Sequence, residues 1–101
     1  MHYVYVLKSV SHPQHYYTGE TSDLRQRFKQ HNARSSRHTS KYAPWELIWY
    51  AGFSDHATAL RFEVFLKTAS GRQFQKKHLS INPRLSAEGP AKADGDATLE
   101  L

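Results

Sequence analysis

From His2 to Ser9 the chain reads His-Tyr-Val-Tyr-Val-Leu-Lys-Ser, a β-branched and aromatic run that predicts a strand. Turn residues follow at Ser11-His-Pro-Gln14, and His15-Tyr-Tyr-Thr-Gly19 predicts a second short strand, paired with the first as a hairpin. Thr21 and Ser22 are both suitable N-caps, and Asp23 falls in a first turn, where the helix dipole favours an acid. A helix is predicted to about Ala33, with Leu24, Arg27, Phe28 and His31 on one stripe at i, i+3, i+4, i+7. The polar run Ser35–Ser40 predicts a flexible basic loop, and Trp45–Phe53 a third strand. Ser54 is placed to cap a second helix from Asp55 to about Ala69, which Ser70-Gly71 would end. A short basic helix is expected from Arg72 to about Ser80. The order β-β-α-β-α-α predicts an α+β domain: a small three-stranded mixed or antiparallel sheet flanked by helices.

The pattern stops near Asn82-Pro83. Residues 85–101 are rich in Ala, Gly and acids, and Thr98 is their only β-branched residue, with no aromatic among them. Such a segment buries too little to offset its ordering entropy, so a disordered acidic tail is expected after a domain at 1–84. The formal charge of +5 divides at that boundary. Residues 1–84 carry 13 Lys/Arg against 5 Asp/Glu, a net of +8; the tail carries one Lys and four acids, a net of −3. A basic body of this kind points to an anionic partner, with nucleic acid first. With 101 residues there is room for one domain. No apolar run approaches a membrane span, the start lacks the pattern of a signal peptide, and no membrane partner is expected. The absence of Cys excludes disulfides, zinc–thiolate sites and Cys nucleophiles, and fits a cytoplasmic protein.

Two features resist a purely architectural explanation. Arg27 and His31 share the inward stripe with Leu24 and Phe28, where a charge is costly unless paired or used. The plainer alternative is that Arg27 snorkels to the edge with its stem packed below. In the second helix Glu63 stands beside Phe62 on the Ala59–Phe62–Leu66–Ala69 stripe, the one acid between Asp55 and Glu88. Its plainer alternative is an exposed ion pair with Lys67 at i+4. Tyr5 and Tyr17 lie on the two hairpin strands and can share a face, although tyrosine is also an ordinary strand residue.

These residues, in this order, resemble the GIY-YIG nuclease family. Val4-Tyr5-Val6-Leu7 stands where the family has its first motif, and Tyr17-Thr18-Gly19 stands for the second. Glu20 to Phe28 then resembles the family's Gly-x-Thr-x-Asp/Asn-Leu-x-x-Arg, and His31-Asn32, Pro44 to Ile48 and Ala59-x3-Glu63-x3-Lys67 follow. The likeness covers Tyr3 to Leu79 and is greatest to a small single-domain bacterial subgroup related to the catalytic domain of Slx1-type structure-specific endonucleases. Tyr3 and Val4 replace the first Gly and Ile, Thr18 replaces the second Ile, and a C-terminal Asn has only Asn82 to match it.

The resemblance implies a metal-dependent DNA endonuclease that hydrolyses phosphodiester bonds, with selectivity for branched or damaged DNA. In its roles, Glu63 holds a single divalent metal, Mg²⁺ or Mn²⁺, and Arg27 contacts the scissile phosphate. Tyr5 and Tyr17 orient or deprotonate the attacking water, and His31 is the alternative base, a phosphate donor or a structural histidine. Arg25, Lys29, Arg34, Arg37, Lys41, Lys67, Lys76 and Lys77 are expected to meet phosphates without reading sequence. The remaining histidines show no metal-ligand spacing along the chain. No DNA-targeting segment is evident, so a protein partner or broad specificity is expected. Two other classes compete: a nucleic-acid-binding module with little or no cleavage, and an adaptor that docks another protein. Glu63 argues against the binder, because a carboxylate among cations repels phosphate.

Overall fold

The structure is a computed structural model and describes residues 1–33 and 39–82. Its elements follow the predicted order: β1 (His2–Ser9), β2 (Tyr16–Thr21), α1 (Leu24–Asn32), β3 (Trp45–Phe53), α2 (His56–Leu66) and α3 (Ala69–His78). The sheet is wholly antiparallel, with strand order β2-β1-β3. The acidic tail and the phosphate-contact candidates Arg34 and Arg37 lie outside the described residues.

The first hydrophobic run becomes the central strand because both of its faces are covered. Val4, Tyr5, Val6 and Leu7 have no exposed surface. On one face Tyr5, Leu7 and Tyr17 pack with Trp45 and Ala43 beneath Leu24 and Phe28 of α1. On the other, Val4 and Val6 pack with Ala59 and Leu66 of α2 and with Ile81, which follows α3. The register sets Tyr5 opposite Gly19 on β2 and opposite Tyr50 on β3, and Val4 opposite Glu20.

The helix starts shift by one or two residues from the predicted caps. Asp23, rather than Thr21 or Ser22, accepts from the Gln26 amide at 3.1 Å. Thr21 receives the Asp23 amide instead, at 3.1 Å. Asp55, rather than Ser54, accepts from the Thr58 amide at 2.8 Å. The second helix ends at Leu66 rather than near Ala69, and Thr68 caps α3 by accepting from the Gly71 amide at 3.0 Å. Gly71 therefore sits within α3, not at the end of α2. A Cβ there would lie 1.8 Å from the Phe65 carbonyl oxygen and 2.6 Å from Leu66 Cα. The missing side chain lets α3 cross directly over the end of α2.

Of the predicted loop before β3, the structure describes Thr39 and Ser40. Thr39 is buried, a 3₁₀ turn spans Ser40–Tyr42, and the Ala43–Pro44 peptide bond is cis. Asn32, at the end of α1, holds the start of β3 by both ends of its amide: it donates to the Trp45 carbonyl at 3.1 Å and accepts from the Trp45 amide. This clamp fixes the last turn of α1, and with it His31, against the sheet.

Candidate active site

Glycine at position 19 makes the centre of the site possible. Its Cα lies under the Tyr5 ring, and a Cβ there would stand 2.7 Å from Tyr5 Oη and 3.0 Å from Tyr17 Cε2. Without that atom the Tyr5 phenol lies across β2. Its ring centroid is then 6.2 Å from that of Tyr17 and 5.9 Å from that of His31, and Tyr17 and His31 are 4.7 Å apart.

His31 comes from the α1 stripe and is fully buried. Its Nε2 is 3.0 Å from Tyr5 Oη, and its Nδ1 is 2.8 Å from Thr39 Oγ1. The two nitrogens thus join Tyr5 to the segment before β3. Burial pushes the Tyr5 hydroxyl far above its ordinary value of 10.0, and the nearby Tyr17 and Glu63 add to this, as does a hydrogen bond with Tyr17. Arg27 pulls the other way, ahead of Glu63 but short of burial. These influences bring Arg27 and Glu63 into the electrostatic surroundings of the tyrosine pair. They also keep Tyr5 protonated, which makes it a hydrogen-bonding group rather than a base.

Glu63 has no exposed surface. The ion pair with Lys67 exists, with Nζ 2.8 Å from Oε2, but it is buried rather than exposed, with side chains 0% and 8% accessible. Glu63 Oε1 has no hydrogen-bond partner among the described residues. A buried carboxylate oxygen left in this way is costly, and a cation relieves it. The donor chemistry fits a hard divalent ion: one carboxylate oxygen, aimed by a fixed partner on the other, leaves most of the coordination shell to water and phosphate.

Tyr5, Tyr17 and His31 are therefore in direct contact, with Arg27 and Glu63 within their electrostatic reach. The basic residues divide. Arg25, Lys29 and Lys41 are exposed on the α1 side of the sheet, whereas Lys76 and Lys77 are exposed on α3, in the opposite layer. Lys67 is turned in toward Glu63. Beside α1 on the tyrosine face, a groove of about 490 Å³ is lined by Tyr3, Leu24, Arg25, Phe28, Leu47 and Tyr50, among others. Tyr50 is 55% exposed, and its ring meets Tyr3 edge-on at 6.2 Å. Sequence reasoning missed Thr39 and saw Gly19 only as part of the Tyr17-Thr18-Gly19 motif. Thr39 carries no local signal within a run of polar residues, and the role of Gly19 emerges only once the strand register sets it opposite Tyr5.

The fold is a small α+β domain in which a tyrosine pair and a buried histidine meet on one face of the sheet. Residues 1–78 match the family described as the GIY-YIG catalytic domain, and the chain belongs to that family. It is 31% identical over 93 residues to a structure-specific endonuclease subunit, SLX1, of Candida dubliniensis, covering 83% of this chain and 30% of that protein. An SLX1 homologue of Giardia intestinalis is 38% identical over 65 residues, 60% of this chain and 18% of the other. The chain thus spans less than a third of these relatives. A UPF0213 protein of Bacillus subtilis, YazA, is 31% identical over 88 residues, 86% of this chain and 84% of its own length.

Proposed function

We propose that the chain is a metal-assisted endonuclease that hydrolyses phosphodiester bonds in DNA, acting by preference on branched or distorted DNA. The observation that carries this reading is Glu63, a fully buried carboxylate with one oxygen held by Lys67 and the other without a partner among the described residues. A module that only binds DNA gains nothing from such a group. The relatives named as structure-specific endonuclease subunits support the preference for distorted DNA and a protein partner that supplies specificity. The cytoplasm is the compartment this reading expects.

In this mechanism Glu63 would hold Mg²⁺ or Mn²⁺, and the ion would supply Lewis-acid polarisation of a phosphate oxygen. Arg27 engages the scissile phosphate, where its fixed fork and permanent charge take up the negative charge that develops at phosphorus. Thr39 donates to His31 Nδ1, His31 Nε2–H donates to Tyr5, and Tyr5 donates to Tyr17. That direction satisfies the contacts of His31 with Tyr5 and Thr39 and uses a Tyr5 hydroxyl that keeps its proton. Tyr17 is thereby held from behind, and its hydroxyl orients the attacking water. Water adds across the P–O bond and leaves a hydroxyl and a phosphate monoester.

Cleavage of plasmid, splayed and branched DNA by the purified chain with Mg²⁺ or Mn²⁺ tests this reading. Arg27→Ala and Tyr17→Phe are expected to lower the rate by about 10²–10³-fold, and Glu63→Gln to remove the dependence on metal. Equal cleavage by wild type and all three variants overturns the site. Binding without cleavage favours the nucleic-acid-binding module, and absence of both favours the adaptor.

A further inference from the structure

The sheet has a second cluster of ligand-bearing side chains, on the face away from the tyrosines. Side chains alternate along a strand, so His2 and Val4 of β1 and Glu20 of β2 point toward α2, while Tyr5 and Gly19 point toward α1. His56, the first residue of α2, completes the cluster. His2 Nδ1 is 3.5 Å from Glu20 Oε2, and His56 Nε2 is 3.4 Å from Glu20 Oε1. One ligand atom from each residue lies within 4.8 Å of the others.

We propose that His2, Glu20 and His56 form a binding site for a borderline transition-metal ion, Zn²⁺ in the first instance, separate from the catalytic metal. Three observations carry it. The first is spacing. Ligands at about 2.0–2.1 Å from a tetrahedral Zn²⁺ stand roughly 3.3 Å from each other, close to each of the two His–Glu separations, which run to the two different oxygens of Glu20. Charge-assisted hydrogen bonds are shorter, at roughly 2.7–2.9 Å, so these contacts suit a shared ion better than direct pairing. The second is the ring geometry. The His2 and His56 imidazoles stack at 4.6 Å and 24°, which holds the two rings side by side next to the Glu20 carboxylate. The third is burial. The Glu20 side chain is 8% accessible, and among the described residues its carboxylate meets these two histidines.

The chemistry distinguishes this site from the one at Glu63. Two imidazole nitrogens and a carboxylate suit Zn²⁺, Ni²⁺ or Cu²⁺, whereas Mg²⁺ prefers oxygen alone. Asp55 adds negative charge beside the site. The Thr58 amide and hydroxyl hold its carboxylate in place by donating to Oδ2 at 2.8 and 2.7 Å. The metal would tie β1, β2 and the start of α2 together, and Glu63 lies two turns further along α2. The site therefore acts as a clip on the helix that carries the catalytic carboxylate.

The test is binding by the full-length chain, which is independent of nuclease activity. Titration with Zn²⁺ by calorimetry, and with Co²⁺ by visible absorption, is expected to show one ion per chain with a tetrahedral Co²⁺ spectrum. Glu20→Gln and His56→Ala are expected to weaken binding at least about tenfold, and His12→Ala to leave it unchanged. Both informative variants are conservative for folding, Glu20→Gln in shape and His56→Ala because His56 is exposed, and circular dichroism checks them. Wild-type affinity no greater than that of Glu20→Gln, or a spectrum that disappears in His12→Ala instead, overturns the proposal.

Discussion

A single absent methyl group organises the tyrosine cluster. Gly19 gives Tyr5 room to lie across β2, and a Cβ would stand 2.7 Å from its hydroxyl oxygen and 2.9 Å from Cζ. Tyr5 has no exposed surface and is held by His31, so it cannot swing clear. Gly19→Ala is therefore expected to displace the Tyr5 and Tyr17 hydroxyls together. Overpacking of this kind costs about 1–3 kcal/mol, while a displacement of roughly 1 Å at a catalytic group costs about 10²-fold in rate. Single-turnover cleavage beside a urea melt separates the two effects: a rate loss well beyond the loss in folded fraction is expected. An unchanged rate in a folded variant removes Gly19 and Tyr5 from the machinery. This is also where the sequence speaks least. Tyr-Thr-Gly identifies the motif, but that the glycine serves Tyr5 rather than a turn depends on a register no local pattern encodes. Glu63 shows the same limit: its pairing with Lys67 is legible from the i, i+4 spacing, whereas its burial depends on α2 lying over the sheet.

The elements themselves were legible where periodicity was strong and blurred where caps competed. β1 and β3 fall where the β-branched and aromatic runs begin and end. The end of α2 does not, because Thr68 can start a helix as readily as Gly71 can end one. Thr68 prevails by accepting from the Gly71 amide and donating to the Phe65 carbonyl at 2.6 Å. Gln75 supports the same corner, donating to the Leu66 carbonyl at 3.0 Å from a buried position. The α2–α3 crossing thus rests on Gly71. Alanine favours an isolated helix over glycine by about 1 kcal/mol, yet here its methyl meets backbone that cannot rotate away. Gly71→Ala is expected to destabilise the fold by a net of about 2 kcal/mol, lowering the melting temperature by roughly 10 °C. A thermal melt checks it, and an increase in stability shows that the two helices do not pack as described.

At the scale of the whole molecule, the sheet separates two chemistries. Tyrosines, Arg25 and Lys29 share the α1 layer, while Lys76, Lys77 and the His2–Glu20–His56 cluster belong to the α2–α3 layer. The overall charge of +5 gives no hint of this division. Enclosing Tyr5 between β2 and α1 also sets how the fold responds to alkali. The hydroxyl is raised above 10.0 in the folded chain, chiefly by burial. Below that pH both folded and unfolded chains hold the proton and stability does not depend on it. Above it the unfolded chain releases the proton and the folded chain keeps it, so unfolding becomes more favourable by about 1.4 kcal/mol for each further pH unit. Small domains are stable by roughly 5–15 kcal/mol, so this is a measurable fraction. The urea midpoint is expected to be flat with respect to this group up to about pH 10 and to fall beyond it. Tyr5→Phe, which has no proton to lose, is expected to fall less steeply over the same range. Parallel curves for the two proteins mean that Tyr5 ionises as freely in the folded chain as in the unfolded one, and its place at the buried centre of the site is then wrong.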